Sequence, residues 1–335
     1  MTAAAAEAGE RGGRVSGDPF ELAVFLPELD LPLDPALAVA RELGAGYVWF
    51  SRLVGEGPIA ELSDGEIDRI GRRVEQHDLK LLVVCAGNPF KEVHLTDLPL
   101  EGLEAHPLFR RDFGALVRSM QMAGRLGVGA VYTHAFAWPG EYTANKPTWP
   151  MRWLTRGGVI AEDDLAKLTR AFSLVAAAAE RHEVDVVVGM LPWHHTNTTG
   201  HFRELAERVG SRRIRAMWGP CDNTLSGEWD VATAGFRNIR PYLHSLHCKD
   251  LRIQDGLRRA FEYRPLGEGV VDYPTVLRQL RDHRCGAVLS VSTHFRPAGG
   301  SRVDAMRINV ANLRRLIRQE ARPGAQSTGH GAQDK

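Results

Sequence analysis

Residues 272–295 read "DYPTVLRQLRDHRCGAVLSVSTHF" and hold one helix and one strand, in that order. Asp272 is placed to cap the helix and Pro274 to begin it, because a proline in the first turn gives up an amide that has no helical partner there. The run "GAVLSVSTHF" is strand-like. Successive strand residues point to opposite sides, so Ser290, Ser292 and His294 share one face while Leu289 and Val291 take the other, toward a layer of helices.

The same alternation recurs upstream. "FELAVFLP" is followed by the amphipathic "DPALAVARELGAG", "YVWF" by "SDGEIDRIGRRVEQH", and "KLLVVCAG" by "RRDFGALVRSMQMAGRLG". "AVYTHAFAW" precedes "EDDLAKLTRAFSLVAAAAERH", "VDVVVGML" precedes "GHFRELAERVG", and "IRAMW" precedes "WDVATAGFRNIRPY". "LHSLHCKDL" precedes the helix at Asp272, and "RVDAMRINVANLRRLIRQ" closes the set. Ser63 and Glu66 have the spacing of a capping box. Short strands alternating with helices argue for βαβ units and a parallel sheet. Eight strands, each followed by a helix, predict a (β/α)8 TIM barrel. No GxGxxG opens a helix after a strand, which removes a dinucleotide-binding sheet.

The chain has 335 residues, 44% hydrophobic and 25% charged, with a formal net charge of +1. These values suit a globular α/β protein, and the interspersed charges leave no basic face to track a nucleic acid. No apolar run reaches the roughly 18 residues that span a bilayer. Residues 1–18 lack the basic start and apolar core of a signal peptide and read as a disordered leader. Residues 19–318 are the barrel and 319–335 a loose tail. Cys85, Cys221, Cys248 and Cys285 have no CxxC spacing, so a reducing cytoplasm is the expected compartment.

In such a barrel the chemistry lies at the carboxyl ends of the strands. There the sequence concentrates Cys85, His134, "LPWHHT", "GPCDN", "HCKD" and "STH", whereas His77, His182 and His283 follow helices to the opposite rim. On "HSLHCKD", Ser245, His247 and Lys249 share a face. His194 and His195 are adjacent, so at most one of them points into a site. Asp250 is read as a cap or as a partner of Lys249, and Cys85 and Cys221 as packing residues. Residues 138–160 form a long, lid-like loop after strand four. Residues 138–158 carry Trp138, Trp149 and Trp153 with Lys146, Arg152 and Arg156, and suit either a large, flat substrate or an interface between copies of the chain.

Three stretches carry a resemblance: "LHCKDL", "PLGEGVVDYPTVLRQL" and "GAVLSVSTHF", with "WGPCDNTLSGEW" aligning on the pattern W-D-P-x-N-x-x-x-S-G-E. Over residues 20–318 the chain is similar to the xylose isomerase-like TIM barrels, the sugar phosphate isomerases/epimerases. The resemblance implies a divalent metal held by Glu, Asp, His and Glu from strands five to eight, and proton transfer next to a carbonyl. His247 stands at the strand-seven position. Leu191 (or Gly189), Gly219 and Ser292 stand at the other three, and Asp222 falls where the family has Asn or His.

No metal or other cofactor is therefore expected, unless a histidine-rich site for Mg, Mn or Zn is rebuilt from His134, His194 or His195, Asp222, His247 and His294. The expected activity is that of an isomerase, epimerase or lyase on a polyhydroxy-carbonyl or sugar-derived substrate, with a fixed cation in place of the metal. Lys249, Asp222, His294, His247 and His134 are the catalytic candidates. His194, His195, Arg152, Trp193, Trp218 and Arg252 are the substrate-binding ones. The alternative is a catalytically silent barrel that binds a ligand or a partner subunit.

Overall fold

The computed structural model describes residues 20–138, 142–143, 146–147, 160–255 and 260–321. The leader, most of the 138–160 loop with Arg152, and the tail beyond Ala321 lie outside the described residues.

Eight parallel strands form the centre: β1 Leu22–Phe25, β2 Tyr47–Trp49, β3 Lys80–Leu81, β4 Ala130–Thr133, β5 Asp185–Gly189, β6 Ile214–Trp218, β7 Leu243–Cys248 and β8 Val288–Val291. They pair in the order β3-β2-β1-β8-β7-β6-β5-β4. Val84 closes the ring. It bridges to Val131, donating its N–H to the Ala130 carbonyl at 3.1 Å and accepting from the Tyr132 N–H at 2.9 Å. The run "KLLVVCAG" is thus a strand only in pieces. Lys80–Leu81 pairs with β2, and Val84, beyond a bend, pairs with β4.

Side-chain alternation divides the apolar residues into two cores. Ala23, Trp49, Leu82, Tyr132, Val187, Met217 and Val288 pack inside the barrel. Val24, Val186, Val188, Ala216, Leu246, Leu289 and Val291 belong to the larger layer between strands and helices. The interior indole of Trp49 needs an acceptor and finds one two strands away, past β1, in the Ser290 hydroxyl at 2.7 Å.

The surrounding helices are α1 Leu33–Glu42, α2 Asp64–Gln76, α3 Pro107–Leu126, α4 Glu162–His182, α5 Thr199–Val209, α6 Pro220–Leu225, α7 Phe236–Ile239, α8 Tyr273–Asp282 and α9 Arg302–Glu320. The Ser63–Glu66 capping box forms at α2. Asp272 caps α8, accepting the Thr275 N–H at 3.1 Å. No described helix is long and apolar enough to cross a membrane.

Two departures from the simple βα pattern matter for the site. "GPCDN" is not a loop but the start of α6, so Asp222 is carried on a helical turn immediately after β6. After β7 the chain makes an antiparallel hairpin, Asp250–Asp255 with Ala260–Arg264, before reaching α8.

Candidate functional site

At the carboxyl end of the barrel a chain of four side chains crosses the mouth. Glu28 comes from the 3-10 turn Leu26–Glu28 that follows β1. Its Oε1 accepts from His294 Nδ1 at 3.0 Å, and its Oε2 accepts from the His294 backbone N–H and the Thr293 hydroxyl, each at 3.0 Å. His294 Nε2 then faces Lys249 Nζ at 3.5 Å, and Lys249 pairs with Asp222 Oδ1 at 2.9 Å. Lys249 and Asp222 are both 2% exposed at the side chain, whereas His294 is 32% exposed. His294 is therefore the member open to an incoming molecule.

Each member is held by the fold. The Tyr273 hydroxyl accepts the Lys249 N–H at 3.1 Å and donates to the Lys249 carbonyl at 2.7 Å. Asp250 accepts the N–H groups of Leu251, Gly267, Gly269 and Val271 at 2.9–3.2 Å, which stitches the hairpin to the barrel. It holds backbone and does not pair with Lys249. His294 has φ of 57°, a left-handed conformation that an ordinary side chain adopts at a cost. The two bonds to Glu28 hold it there. Tyr263, from the hairpin's second strand, lies against His294 at 4.8 Å between ring centroids and over the Lys249 ammonium at 5.8 Å.

Burial is the largest single influence on the Lys249 ammonium and pushes it down, but Asp222, with Tyr263 and Cys221, together outweighs it, so the amine stays protonated at neutral pH. Burial raises the Asp222 carboxyl, and Lys249 draws it back only part of the way. Burial likewise raises Glu28, but His294 and Thr293 outweigh it and hold the carboxyl well below the usual range. His247 is buried against Phe25, Trp49 and His294, and burial with the adjacent Lys249 keeps its imidazole neutral. Its Nε2 has no partner among the described residues, nor have Asp222 Oδ2 and Ser292 Oγ.

Beside this chain lies a group of neutral imidazoles. His134 Nε2 meets Asn88 Oδ1 at 3.4 Å, and His194 Nε2 meets the Lys91 carbonyl at 3.3 Å. The two rings are 5.0 Å apart, and burial lowers both, His194 to about 3. Lys91 also belongs here, lowered by burial and by Lys249 among its charged neighbours. His195 turns away. It stacks on Trp138 at 3.9 Å and meets the Phe136 carbonyl at 3.0 Å, so of the adjacent histidines only His194 sides with the mouth.

Trp218 does not reach the site. β6 sends Met217 and Gly219 inward, so Trp218 packs outward on Phe236. Arg252 is exposed on the hairpin, and Trp193 packs edge-on to His194. The sequence reading missed Glu28, Tyr263 and Lys91. Glu28 follows a strand end and falls under the same rule that singled out "STH". Tyr263 was signalled by Asp255-Gly256, a hairpin dipeptide between two alternating runs.

The thiols contribute packing. Cys85 and Cys221 are fully buried, and burial pushes Cys85 up to about 12. Ellman's reagent is expected to label only the half-buried Cys285 in the native protein, and all four cysteines after unfolding. Native labelling of Cys85 or Cys221 would return them to the list of nucleophiles.

Residues 37–316 match the family described as xylose isomerase-like TIM barrel. The chain belongs to that family. Among solved structures it is similar to an L-ribulose 3-epimerase, at 15% identity and TM-score 0.65 over 90% of this chain and 95% of that one. It is also similar to a probable 3-DHS dehydratase of petrobactin synthesis from Bacillus anthracis, at 14% identity and TM-score 0.64 over 88% and 98%. A third is a xylose isomerase-like TIM barrel protein from Mycobacterium smegmatis in complex with magnesium, at 14% identity and TM-score 0.60 over 90% and 97%. No curated protein matches the chain.

The residues present do not fit the divalent cation that the family implies. Leu191, Gly219 and Ser292 offer no carboxylate, and the space is taken as well. A Cβ at Gly219 would lie 2.8 Å from Asp222 Oδ2, and one at Gly189 would lie 1.9 Å from the Tyr132 hydroxyl. Nor do the mouth histidines assemble a replacement: among the described residues no group of three or more His, Cys, Asp or Glu is placed to hold a metal ion.

Proposed function

We propose that the protein is an isomerase, epimerase or lyase that moves a proton next to a carbonyl in a polyhydroxy or sugar-derived compound, using fixed charges of its own. The unbroken chain Glu28–His294–Lys249–Asp222 at the mouth carries this reading.

Glu28 accepts from Nδ1–H, which leaves Nε2 of His294 as a lone-pair base, the orientation that a carboxylate gives a catalytic imidazole. When Nε2 removes the proton, the C–H electron pair moves into the carbonyl and the negative charge appears on oxygen. Lys249, kept protonated by Asp222 and 3.5 Å from Nε2 behind the ring, is the fixed cation nearest that charge. Return of the proton by Nε2 to the other face, once the enolate has turned over in the mouth, gives epimerisation; its return to the neighbouring carbon, with the hydroxyl proton passing to the former carbonyl oxygen, gives isomerisation. Its delivery to a departing hydroxyl gives dehydration. The neutral His134, His194 and His247 provide hydrogen-bonding partners for hydroxyl groups without adding charge. The epimerase and dehydratase among similar structures are compatible with either outcome.

The test is carbon–hydrogen exchange. Ketopentoses, ketohexoses and cyclic hydroxy-ketones are incubated with the full chain in heavy water and followed by proton NMR. Deuterium is expected next to the carbonyl of at least one of them, undiminished by EDTA and lost in His294→Asn. Exchange that EDTA abolishes and magnesium or manganese restores would overturn the fixed-cation reading. Ligand-induced stabilisation with no exchange on any compound would favour the silent barrel.

A further inference from the structure

At the opposite, amino-terminal rim, three arginines surround an open cleft of about 450 Å3 that no carboxylate of the described residues lines. Arg215 enters it from the second position of β6, Arg240 from the turn before β7, and Arg284 from the residue after the α8 cap. Arg215 is half-buried. Its Nη2 donates to the Leu243 carbonyl at 2.9 Å, while its Nε is buried with no acceptor among the described residues. Arg240 Nη1 donates to His283 Nδ1 at 2.8 Å. None of the three has a carboxylate within 4 Å among the described residues. Arg215, Leu243 and Gly286 also line a neighbouring cavity of about 820 Å3 beneath the barrel floor, which Asp68, Glu75 and Asp185 line together with Arg72 and Arg125, so that it suits an uncharged, hydroxyl-bearing group rather than a second anion.

Three guanidinium groups with free donors, one of them partly desolvated, are matched by a compact polyanion, because guanidinium forks bind phosphate oxygens in pairs. We infer that this rim binds a small phosphate-bearing metabolite, with the phosphate between Arg240 and Arg284 and the remainder directed past Arg215 toward the larger cavity. The site lies at the other end of the barrel from the mouth and is independent of the proton-transfer reading.

Inorganic pyrophosphate is the probe, titrated into the full chain by calorimetry, with inorganic phosphate as the smaller analogue and sodium chloride at matched ionic strength as the control. Saturable binding of pyrophosphate is expected. Arg284→Gly is the informative variant: Arg284 has φ of 52°, a conformation glycine adopts freely, so the cation is removed without cost to the backbone. Arg284→Gly and Arg240→Gln should each weaken pyrophosphate by about tenfold or more, and His294→Asn should leave its affinity unchanged. The inference fails if there is no saturable heat, if chloride gives the same response, or if Arg284→Gly and Arg240→Gln bind as the native chain does. Loss of binding in His294→Asn would place the anion in the mouth and equally overturn it.

Discussion

Lys249→Met is expected to destabilise the fold by about 3–5 kcal/mol, the usual consequence of removing one partner from a buried ion pair. The ammonium and the Asp222 carboxylate are 2.9 Å apart and almost sealed from solvent. Methionine fills the volume but leaves a carboxylate in a space with little water, its second oxygen already without a partner among the described residues. Asp222 would then be driven to bind a proton. Urea unfolding at neutral pH measures the loss. The double variant Lys249→Met/Asp222→Leu separates charge from packing: it should recover most of the stability, since neither charge remains to be desolvated. A cost below about 1 kcal/mol for the single variant, the range of exposed pairs, would mean that the pair is not buried in solution. Where exchange activity is found, Lys249→Met should also lower kcat by about 100-fold or more with little change in KM, because the ammonium is needed most when the oxygen carries charge. Lys249→Arg should not rescue it, as the planar fork cannot take the place of a compact ammonium between Asp222 and His294.

The barrel was legible because its signals are local and repeated. Helix caps at Ser63 and Asp272 formed as their spacing implied, and strand alternation placed Ser290, His247 and Lys249 on the interior face. The site was legible only in part, for a geometric reason. Lys249 and His294 follow neighbouring strand ends, and alternation puts them on one face, but β8 stops at Val291 and His294 is turned to Lys249 by its left-handed backbone and its bonds to Glu28. Glu28 and His294 are 266 residues apart and meet only because the ring closes β1 against β8. Asp222 was visible as a mouth residue, but not that its carboxylate lies against Gly219, since that depends on "PCDNTL" coiling into a helical turn. Loss of the family's ligands could be read from three letters. What fills their space could not, because Tyr132 reaches Gly189 from an adjacent strand. Trp218 shows the converse failure: proximity in sequence to a strand end says nothing once alternation turns the ring outward.

Glu28→Gln is expected to flatten the acid limb of the stability curve. The native carboxyl is held below its ordinary value of 4.5, despite burial, by His294 and Thr293. A group whose pKa is lower in the folded state binds fewer protons there than in the unfolded chain. Its contribution is therefore complete above about pH 5 and is withdrawn as the pH falls through 4.5 toward the folded value. Glutamine keeps the shape and one acceptor but has no proton to gain in this range. At pH 7 the variant should be less stable by about 2–3 kcal/mol, the worth of lost charge-assisted hydrogen bonds to a buried group. That gap should shrink steadily as the pH is lowered from 5 toward 2. Buried His134 and His194 also weaken the fold in acid, but they do not feel Glu28 and cancel in the difference, whereas His247, which the Glu28 charge raises slightly against burial, cancels only in part. Urea unfolding at half-unit pH steps tests the sign directly. A gap that stays constant from pH 7 to pH 2 would show that Glu28 carries no charge-dependent bond to His294. The left-handed backbone at His294 would then need another anchor, and the base of the proposed reaction would lose the partner that orients it.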